Sequence, residues 1–360
     1  MNRPLHILYV LASPSWGGGE QYVADLAAAL PARGYRCCAV TPPGGPNRER
    51  LARTIDPQRI WELPMRSLFD FGSARALARI VRQERIDLVH VNKFSDAFLA
   101  LWARRLSRRP IRIVLTRHLI RRGKSNPLYN YLYGQLDKLV FVSDTARREF
   151  LSGGAKVDPH KIEVVHNAIP DRLCRRRVAD GTIRLVYAGR IVPEKGIDLL
   201  LDAFCRLQNE NVRLDLYGTG PQDYVEQLRR RAEETGVGSG VRFAGYTEDV
   251  HAALERADIG VLPTVAREAF GLAILEYMRA GLAVVTTDGG AQREFLVDGR
   301  DALLVPPGDV DALAEALRRL TEEDALRNRL AIEGRRAFET RLGYDIFLRK
   351  MTDLYEGLCE

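Results

Sequence analysis

The sequence lacks the marks of several large classes of protein. Its five cysteines are odd in number and show no Cys-x-x-Cys spacing, which argues against a disulfide framework or a zinc site and fits a reducing cytosol. No apolar run approaches the ~20 residues that a membrane span needs. The apolar segment Leu5–Ala12 runs directly into a glycine-rich turn, so we interpret it as a first strand and keep a signal peptide as the alternative.

The sequence also lacks an intact dinucleotide-binding fingerprint. The turns Gly17–Glu20 and Gly218–Pro221 each follow a predicted strand, but Asp223 stands where the second turn would need its third glycine. An NAD-dependent dehydrogenase is therefore disfavoured. By itself, each turn is either a plain strand-to-helix connection or a place where backbone amides approach a phosphate.

Charge is distributed unevenly along the chain. Residues 1–180 contain 31 lysines and arginines against 16 aspartates and glutamates, whereas the rest of the chain contains 23 against 31. This asymmetry favours two units and an anionic partner for the first. Nucleic acid and an anionic membrane both fit that charge, but the sequence has no helix-turn-helix or aromatic-interleaved basic motif.

Short apolar, β-branched runs alternate with helix-periodic runs along nearly the whole chain. Continuous runs of this kind are typical of strands buried on both faces, in parallel sheets covered by helices. The predicted strands are Leu5–Leu11, Arg36–Thr41, Leu88–Val91, Ile111–Thr116, Leu139–Val142, Ile183–Ala188, Val212–Tyr217, Val241–Ala244, Ile259–Leu262 and Ala283–Thr286. The predicted fold class is α/β, with two doubly wound domains.

The polar segment Pro170–Thr182, which includes Arg175–Arg177, has no apolar periodicity and is the predicted seam. We therefore expect an N-terminal domain over residues 1–170 and a C-terminal domain over 171–342. A last helix follows over 343–360, for which a return to the N-terminal domain is one option.

Two segments of the second half carry side chains suited to a sugar nucleotide. In Gly189–Gly196, Arg190 offers a planar fork of donors and Lys195 a point charge, together suited to a diphosphate. Glu268 precedes a predicted helix and Glu276 lies about two turns further on, so both face roughly the same side. The plain alternatives are exposed surface cations, and acids favoured by the helix dipole.

Three histidines and one acidic pair are further candidates for site residues. His118 ends a predicted strand in the first half, as does His90, and His166 lies near the seam; a lone histidine is more often structural than chemical. The pair in Asp309–Asp311 matches a two-carboxylate metal signature, but it directly precedes a helix, so N-capping explains it better.

Together, these motifs resemble the retaining glycosyltransferases of family 4, which adopt the GT-B fold of two Rossmann-like domains facing across a cleft. The resemblance covers essentially the whole chain, with the motifs in the family's order. It implies that His118 and Glu268 act at the transferred sugar and that Glu276 holds the ribose. The residues that it implies in donor binding are Gly17, Gly18, Gly19, Arg190, Lys195, Gly218, Phe270, Gly271 and Glu276.

The sequence departs from the family pattern at two places. Asn167 matches the asparagine of the family's Pro-Asn-Gly segment, but His166 and Ala168 replace its neighbours. The Gly289–Glu294 segment looks like the Gly-Gly-x-Pro-Glu turn, with one extra residue and Arg293 where proline is usual. The contacts of this loop therefore stay open.

The resemblance implies transfer of a hexose from a nucleoside diphosphate sugar, with UDP-hexose favoured over GDP-mannose, to a saccharide or lipid-linked acceptor. No metal or other cofactor is expected, since two cations already face the diphosphate. The rivals are a nucleotide-sugar epimerase and a non-catalytic nucleotide-sugar-binding protein, although the presence of both His118 and Glu268 favours an enzyme.

We also expect the protein to lie in the cytoplasm, on the inner face of the plasma membrane. The segment Arg117–Tyr133 mixes cations with aromatic residues of the kind that rest at a lipid interface. Gly123, Asn126 and Pro127 suggest an exposed loop beside His118. The residues predicted to face the membrane or the acceptor are Arg121, Arg122 and Lys124. Phe98 and Trp102 are also aromatic neighbours of arginines, but packing against the sheet explains their helix better.

Overall fold

The computed structural model describes residues 3–174 and 180–360. The chain divides into two compact units. Unit 1 consists of Met1–Asn167 together with Asp345–Glu360, and unit 2 of Ala168–Tyr344. The Arg175–Arg177 run of the predicted seam lies outside the described residues.

Unit 1 is built on a parallel sheet of seven strands. They are β1 (His6–Val10), β2 (Arg36–Thr41), β3 (Ile60–Glu62), β4 (Leu88–Val91), β5 (Arg112–Arg117), β6 (Lys138–Phe141) and β7 (Ile162–Val164). Their order is β3-β2-β1-β4-β5-β6-β7, and every neighbouring pair is parallel. The central strands β1 and β4 are buried, because their apolar runs are covered by helices on both faces.

The helices of unit 1 follow their strands in regular alternation. They are α1 (Gly18–Ala29), α2 (Asn47–Leu51), α3 (Phe71–Gln83), α4 (Phe94–Ser107), α5 (Pro127–Gln135) and α6 (Asp144–Ser152), joined by the C-terminal α14 (Tyr344–Cys359). Several begin at side-chain caps: Asp70 caps α3, Asn126 caps α5 and Ser143 caps α6, each satisfying a backbone amide that the helix itself leaves unpaired.

Unit 2 repeats the architecture with six parallel strands. They are β8 (Ile183–Ala188), β9 (Val212–Tyr217), β10 (Val241–Gly245), β11 (Ile259–Leu262), β12 (Ala283–Thr287) and β13 (Leu303–Val305). Their order is β10-β9-β8-β11-β12-β13. The helices are α7 (Ile197–Cys205), α8 (Gln222–Glu234), α9 (Val250–Leu254), α10 (Leu272–Arg279), α11 (Gln292–Phe295), α12 (Val310–Glu322) and α13 (Asp324–Thr340).

The two parallel sheets with interleaved helices confirm the predicted α/β fold class. Within residues 3–174 and 180–360, the structure contains no helix of the length and apolarity that crossing a bilayer requires.

Candidate active site

In unit 2 the strand order reverses between β8 and β11. The chain builds outward from β8 to β10 and then adds β11 to β13 on the other side of β8. Open α/β sheets bind ligands beyond the carboxyl ends of their strands at such a switch point. The segment Gly189–Gly196 follows β8 and the segment Pro263–Glu268 follows β11. Two motifs far apart in sequence therefore meet where a ligand is expected.

Backbone contacts hold these two segments in a fixed relation. The carbonyl oxygen of Glu194 accepts hydrogen bonds from the amides of Val265 at 3.0 Å and Ala266 at 3.2 Å. Gly196 has a φ of +66°, and a Cβ there would collide with the carbonyl oxygen of Pro263. Only glycine fits this crossing without strain, so the backbone around Lys195 is positioned by local packing.

Lys195 and Glu268 form an ion pair at the centre of this region. Lys195 Nζ lies 2.6 Å from Glu268 Oε2, and the two side chains are 17% and 19% exposed. Short, charge-assisted contacts of this kind are among the stronger hydrogen bonds in proteins. The structure thus places two predicted site residues in direct contact, one with a charge suited to phosphate and the other with acceptors suited to hydroxyls.

Arg190 lies in the same segment as Lys195, Gly189–Gly196, and is exposed. Its guanidinium has no ion-pair partner within the described part of the chain. The backbone of the turn is supported by Gly218, whose φ is +138° and where a Cβ would collide with the carbonyl oxygen of Gly189. Packing therefore accounts for the glycine at 218. Direct contact between Gly218 and the sugar nucleotide stays a prediction.

The predicted residues after Glu268 have different surroundings. Phe270 is buried and stacks on Phe295 with ring centroids 4.5 Å apart, so its side chain belongs to the core and only its backbone is available to a ligand. Gly271, with a φ of +87°, precedes α10. Glu276 lies within α10 and is partly buried.

The Gly289–Glu294 loop, whose contacts the sequence left open, packs directly against Glu268. The amide of Ala291 donates to the carbonyl oxygen of Glu268 at 2.9 Å. A Cβ on Gly290 would collide with the same carbonyl oxygen. The loop therefore positions the backbone of Glu268, and that close approach requires the glycine at 290, whereas a Cβ on Gly289 would collide with Pro307.

In unit 1 the glycine turn Gly17–Gly19 leads from β1 into α1. Gly17 and Gly18 are exposed, and no side chain among the described residues caps the first turn of the helix. A Cβ on Gly19 would meet Asn92 Nδ2 at 3.6 Å and His118 Cδ2 at 3.7 Å, which are ordinary contacts. The turn thus presents helix-start amides close to His118.

Asn92 links the glycine turn to His118 and was not among the predicted residues. Its Nδ2 donates to the carbonyl oxygen of Gly19 at 3.0 Å, and its Oδ1 lies 3.4 Å from His118 Nε2. Because the amide oxygen only accepts, the neutral imidazole in this arrangement carries its proton on Nε2 and leaves the Nδ1 lone pair for another partner. The sequence signal for Asn92 was its place directly after β4.

Electrostatics keep His118 neutral near pH 7. Withdrawal from water, followed by the charge of Arg117, lowers the pKa of His118 from 6.5 to about 4. The ring of Tyr22 packs edge-on against it, with centroids 4.8 Å apart. A neutral histidine at the carboxyl edge of the sheet is suited to accept a hydrogen bond from a sugar hydroxyl.

The other histidine that ends a strand, His90, is structural. It is 0% exposed, and its ring nitrogens lie 2.6 Å from the hydroxyl of Tyr355 and 2.8 Å from that of Thr116. Burial lowers the pKa of His90 to about 3, so it stays neutral inside unit 1.

A buried carboxyl group ties the end of β1 to α4. Asp96 is 1% exposed and accepts from the hydroxyl of Ser95 at 2.8 Å and the amide of Ala12 at 3.3 Å. Burial raises the pKa of Asp96 to about 6. It therefore holds the segment that leads into the glycine turn, a role that the sequence did not reveal.

Two groups of side chains contain possible metal ligands. Asp309 caps α12 by accepting from the amide of Ala312 at 2.9 Å, which confirms the capping interpretation. Among the described residues, Cys174, His251 and Glu255 bring potential ligand atoms within 4.8 Å of one another. His251 Nε2, however, donates to the carbonyl oxygen of Leu173 at 3.0 Å, so that nitrogen has no lone pair for a metal.

The predicted membrane-facing cations Arg121, Arg122 and Lys124 are all exposed. Arg122 lies 3.3 Å from Glu149, and Lys124 Nζ lies 3.2 Å from the hydroxyl of Tyr129. One further expectation for this region is confirmed and one is wrong.

The loop is exposed at Asn126 and Pro127, as predicted, although Gly123 itself is buried, and a Cβ there would collide with Phe150 and Ala155. Tyr133 is 0% exposed and lies in the core, so it cannot rest at a lipid interface. Phe98, which is also buried, packs as the alternative interpretation of α4 predicted. The exposed apolar side chains nearby are instead Leu119, Leu128 and Tyr131.

Comparison with known families matches both halves of the chain. Residues 16–173 match the model "Glycosyltransferase Family 4", and residues 182–323 match "Glycosyl transferases group 1". The chain belongs to glycosyltransferase family 4. It is therefore a glycosyltransferase with the GT-B fold, and the sugar-nucleotide motifs lie in the segments that the two models match.

Individual relatives agree with this assignment. The chain is 29% identical to a phosphatidyl-myo-inositol mannosyltransferase of Mycobacterium leprae, over 95% of this chain and 94% of that protein. It is 28% identical to the lipopolysaccharide core biosynthesis glycosyltransferase LpsE of Rhizobium meliloti, over 94% of each. Anabaena HepE, solved in complex with UDP and glucose, superposes with a TM-score of 0.84 at 20% identity, over 98% of this chain and 100% of HepE, and thereby supports the fold.

Proposed function

We propose that this glycosyltransferase moves a hexose from a nucleoside diphosphate sugar to a saccharide or lipid-linked acceptor, with retention at the anomeric carbon. UDP-hexose is the first candidate donor and GDP-mannose the second. The mannosyltransferase and LpsE relatives support a hexose and a lipid or lipopolysaccharide acceptor, in envelope glycan synthesis. HepE supports UDP.

The contact between Lys195 and Glu268 at the switch point of unit 2 is the observation that carries this proposal. In the proposed reaction Lys195 and Arg190 neutralise the departing diphosphate, so the charge that develops in the transition state meets fixed cations and no metal is required. Glu268 accepts hydrogen bonds from hydroxyls of the transferred sugar. We expect front-face attack assisted by the leaving phosphate, with neutral His118 contacting the reacting sugar.

A thermal-shift screen of UDP, GDP, ADP and their sugars tests the donor assignment. A ligand at 100 times its dissociation constant should stabilise the fold by ~2.7 kcal/mol. We expect UDP or GDP and the matching sugar nucleotide to raise the melting temperature, whereas ADP should not. A response to ADP alone, or to none of the three, would remove the proposed donor class.

We further propose that unit 1 binds anionic membranes peripherally through Arg121, Arg122 and Lys124, together with the exposed Leu119 and Leu128. Each cation near such a surface contributes about 1 kcal/mol, screened over ~8 Å at physiological salt. Co-sedimentation should require anionic vesicles, weaken with added salt and fall in the Arg121/Arg122/Lys124 triple alanine variant.

A matched control for the membrane test removes three exposed arginines from unit 2, at Arg229, Arg230 and Arg336. It should bind vesicles as the wild type does. Equal binding to neutral and anionic vesicles, or binding to neither, would favour a soluble acceptor.

A further inference from the structure

Arg117 occupies an unusual position for an arginine. It is the last residue of β5, at the carboxyl edge of the unit 1 sheet and directly before His118. It is 8% exposed, and its guanidinium carbon lies 4.4 Å from the centre of the Phe94 ring. A guanidinium is rarely buried to this degree unless an anion or several acceptors compensate it.

No such compensation is present for Arg117 within the described residues. Its Nε is buried without a hydrogen-bond partner, and no carboxylate lies within ion-pair distance of the guanidinium. Burial lowers the pKa of Arg117, the hydroxyls of Tyr133 and Tyr129 act to raise it, and the charge of Arg121 lowers it further. The segments outside the described residues, 1–2 and 175–179, contain no aspartate or glutamate.

Another partly buried arginine of unit 1 shows the usual arrangement. Arg104 lies 3.3 Å from Asp137 and donates to the carbonyl oxygen of Gln135 at 3.0 Å. At Arg117 the Phe94 ring covers only one face of the guanidinium. The five N–H donors of an arginine lie in the plane of the group, so a ring stacked on its face offers them no acceptor.

The surroundings of Arg117 add positive charge. Arg121 has no hydrogen-bond or ion-pair partner within the described part of the chain, and Lys124 contacts only the hydroxyl and ring of Tyr129 among those residues. Arg117 lies near enough to His118 for its charge to lower the pKa of that histidine. A buried guanidinium, with Arg121 near enough for its charge to lower the pKa of Arg117, thus lies directly before His118.

We propose that Arg117 binds a phosphate group of the acceptor substrate, assisted by Arg121 and Lys124. This inference rests on the proposed function and deepens it, because it defines the acceptor as a phosphate ester. A phosphate group, whether a monoester or a diester, presents tetrahedral oxygens that can accept two parallel hydrogen bonds from the fork of a guanidinium. The same chemistry is presented by a phospholipid headgroup and by a soluble sugar or polyol phosphate.

Titration calorimetry with inorganic phosphate tests the site. The measurement uses the full chain carrying Arg190→Ala and Lys195→Ala, so that phosphate cannot bind at the proposed donor site. Phosphate should bind this protein, and adding Arg117→Met should weaken the affinity at least about tenfold, since a bidentate charge-assisted contact is lost. Arg109→Met, which removes an arginine between α4 and β5 at the opposite edge of the same sheet, should leave the affinity unchanged.

Arg117→Lys provides a second variant if the methionine variant does not fold. It keeps the charge and loses the fork, so we expect a loss of affinity between those of the wild type and Arg117→Met. Phosphate affinity that is unaffected by either substitution overturns the proposal, as does acetate binding as tightly as phosphate. Because the measurement needs no donor, failure of the proposed transferase reaction would not by itself remove phosphate binding.

The two sources of phosphate are separated by competition. Phosphatidylglycerol vesicles that displace inorganic phosphate, while phosphatidylcholine vesicles do not, assign the site to a lipid headgroup. Displacement by glycerol 3-phosphate but not by vesicles assigns it to a soluble phosphate ester. Displacement by neither overturns the assignment to the acceptor.

Discussion

Two charged site residues of unit 2 compensate each other, whereas Arg117 in unit 1 has no ion-pair partner among the described residues. In unit 2, Lys195 and Glu268 neutralise each other at 2.6 Å, so the unliganded protein holds both charges without an isolated ion in a partly buried site. Removing one partner of such a pair leaves the other uncompensated, which costs more than the pair itself contributes. A diphosphate that binds beside Lys195 would give it a second anionic partner and leave Glu268 its remaining acceptor sites for sugar hydroxyls.

Lys195→Ala and Arg190→Ala should each weaken binding of the nucleoside diphosphate. Losing a charged partner of the phosphate costs roughly 2–5 kcal/mol in a desolvated site, with Arg190 at the lower end because it is exposed. Calorimetry with UDP and GDP measures the effect, and Arg230→Ala, an exposed arginine on α8, is the control. Unchanged affinity in both site variants would mean that the phosphate binds elsewhere.

Glu268→Gln and His118→Ala should damage turnover more than nucleotide binding. Their proposed contacts are to the transferred sugar, so the loss is in transition-state stabilisation. Steady-state kinetics, paired with nucleotide titrations, separates the two effects. Wild-type turnover with unchanged nucleotide affinity in either variant would remove that residue from the chemistry.

Sequence motifs identified site residues that directly follow a strand. Lys195 and Glu268 follow β8 and β11, and the Rossmann-like alternation was enough to expect them at one edge of a sheet. Asn92 and Arg117 also lie at strand ends, directly after β4 and at the end of β5, but this position alone does not distinguish them from other strand-end residues. Their roles depend on which side chains surround them in three dimensions, and a single asparagine or arginine carries no motif.

Among the elements, the C-terminal helix α14 is an integral part of unit 1. Phe347, Leu348 and Met351 are buried within it, and Tyr355 contacts His90 beneath the sheet edge. The sequence predicted a helix over these residues from its apolar period. The contact with His90 could not be predicted, because it joins residues 265 positions apart.

Tyr355→Phe should destabilise the protein by ~1–3 kcal/mol, because it leaves the buried Nδ1 of His90 without its partner while keeping the ring volume. Chemical denaturation monitored by circular dichroism measures the loss. Tyr131→Phe, on the exposed side of α5, should change stability by less than about 0.5 kcal/mol. Equal stability of the Tyr355 variant and the wild type would mean that this hydrogen bond contributes nothing to stability.

Sequence patterns predicted the longer strands of both sheets but missed the shortest ones. Arg36–Thr41 and Val212–Tyr217 have the predicted bounds. The first is buried from its second residue onward, and in the second the apolar residues alternate with Arg213 and Asp215. The strands β3, β7 and β13 were not predicted. Each has three residues and lies at the edge of its sheet, and so short a segment shows no period that separates it from a loop.

For the whole molecule, the two sheets repeat one plan. Each adds two strands outward from its first strand and then reverses, which creates a switch point after β1 and β4 in unit 1 and after β8 and β11 in unit 2. In unit 2, Lys195 and Glu268 follow β8 and β11. In unit 1 the glycine turn and Asn92 follow β1 and β4, whereas His118 follows the next strand, β5. The basic balance of residues 1–180 and the acidic balance of the rest are consistent with our proposal that an anionic acceptor binds unit 1.

Activity should survive the removal of divalent metal ions. Lys195 and Arg190 supply positive charge for the diphosphate. Asp309 belongs to the segment Asp309–Asp311 that matches a two-carboxylate metal signature, but it caps a helix. Transfer measured in excess EDTA should therefore equal transfer in its absence. Complete loss in chelator, restored by manganese, would contradict the metal-free mechanism.

The most direct test of the central claim is the fate of an isotopically labelled sugar nucleotide. The full chain is incubated with the donor selected by thermal shift and with a phosphate-bearing lipid or saccharide fraction, and the products are followed by NMR. The account predicts that the label enters a new glycosidic bond with the donor's anomeric configuration, that free nucleoside diphosphate is released, and that Glu268→Gln abolishes both. Recovery of the label as an epimer of the donor, or as unchanged donor with every acceptor fraction, would contradict it.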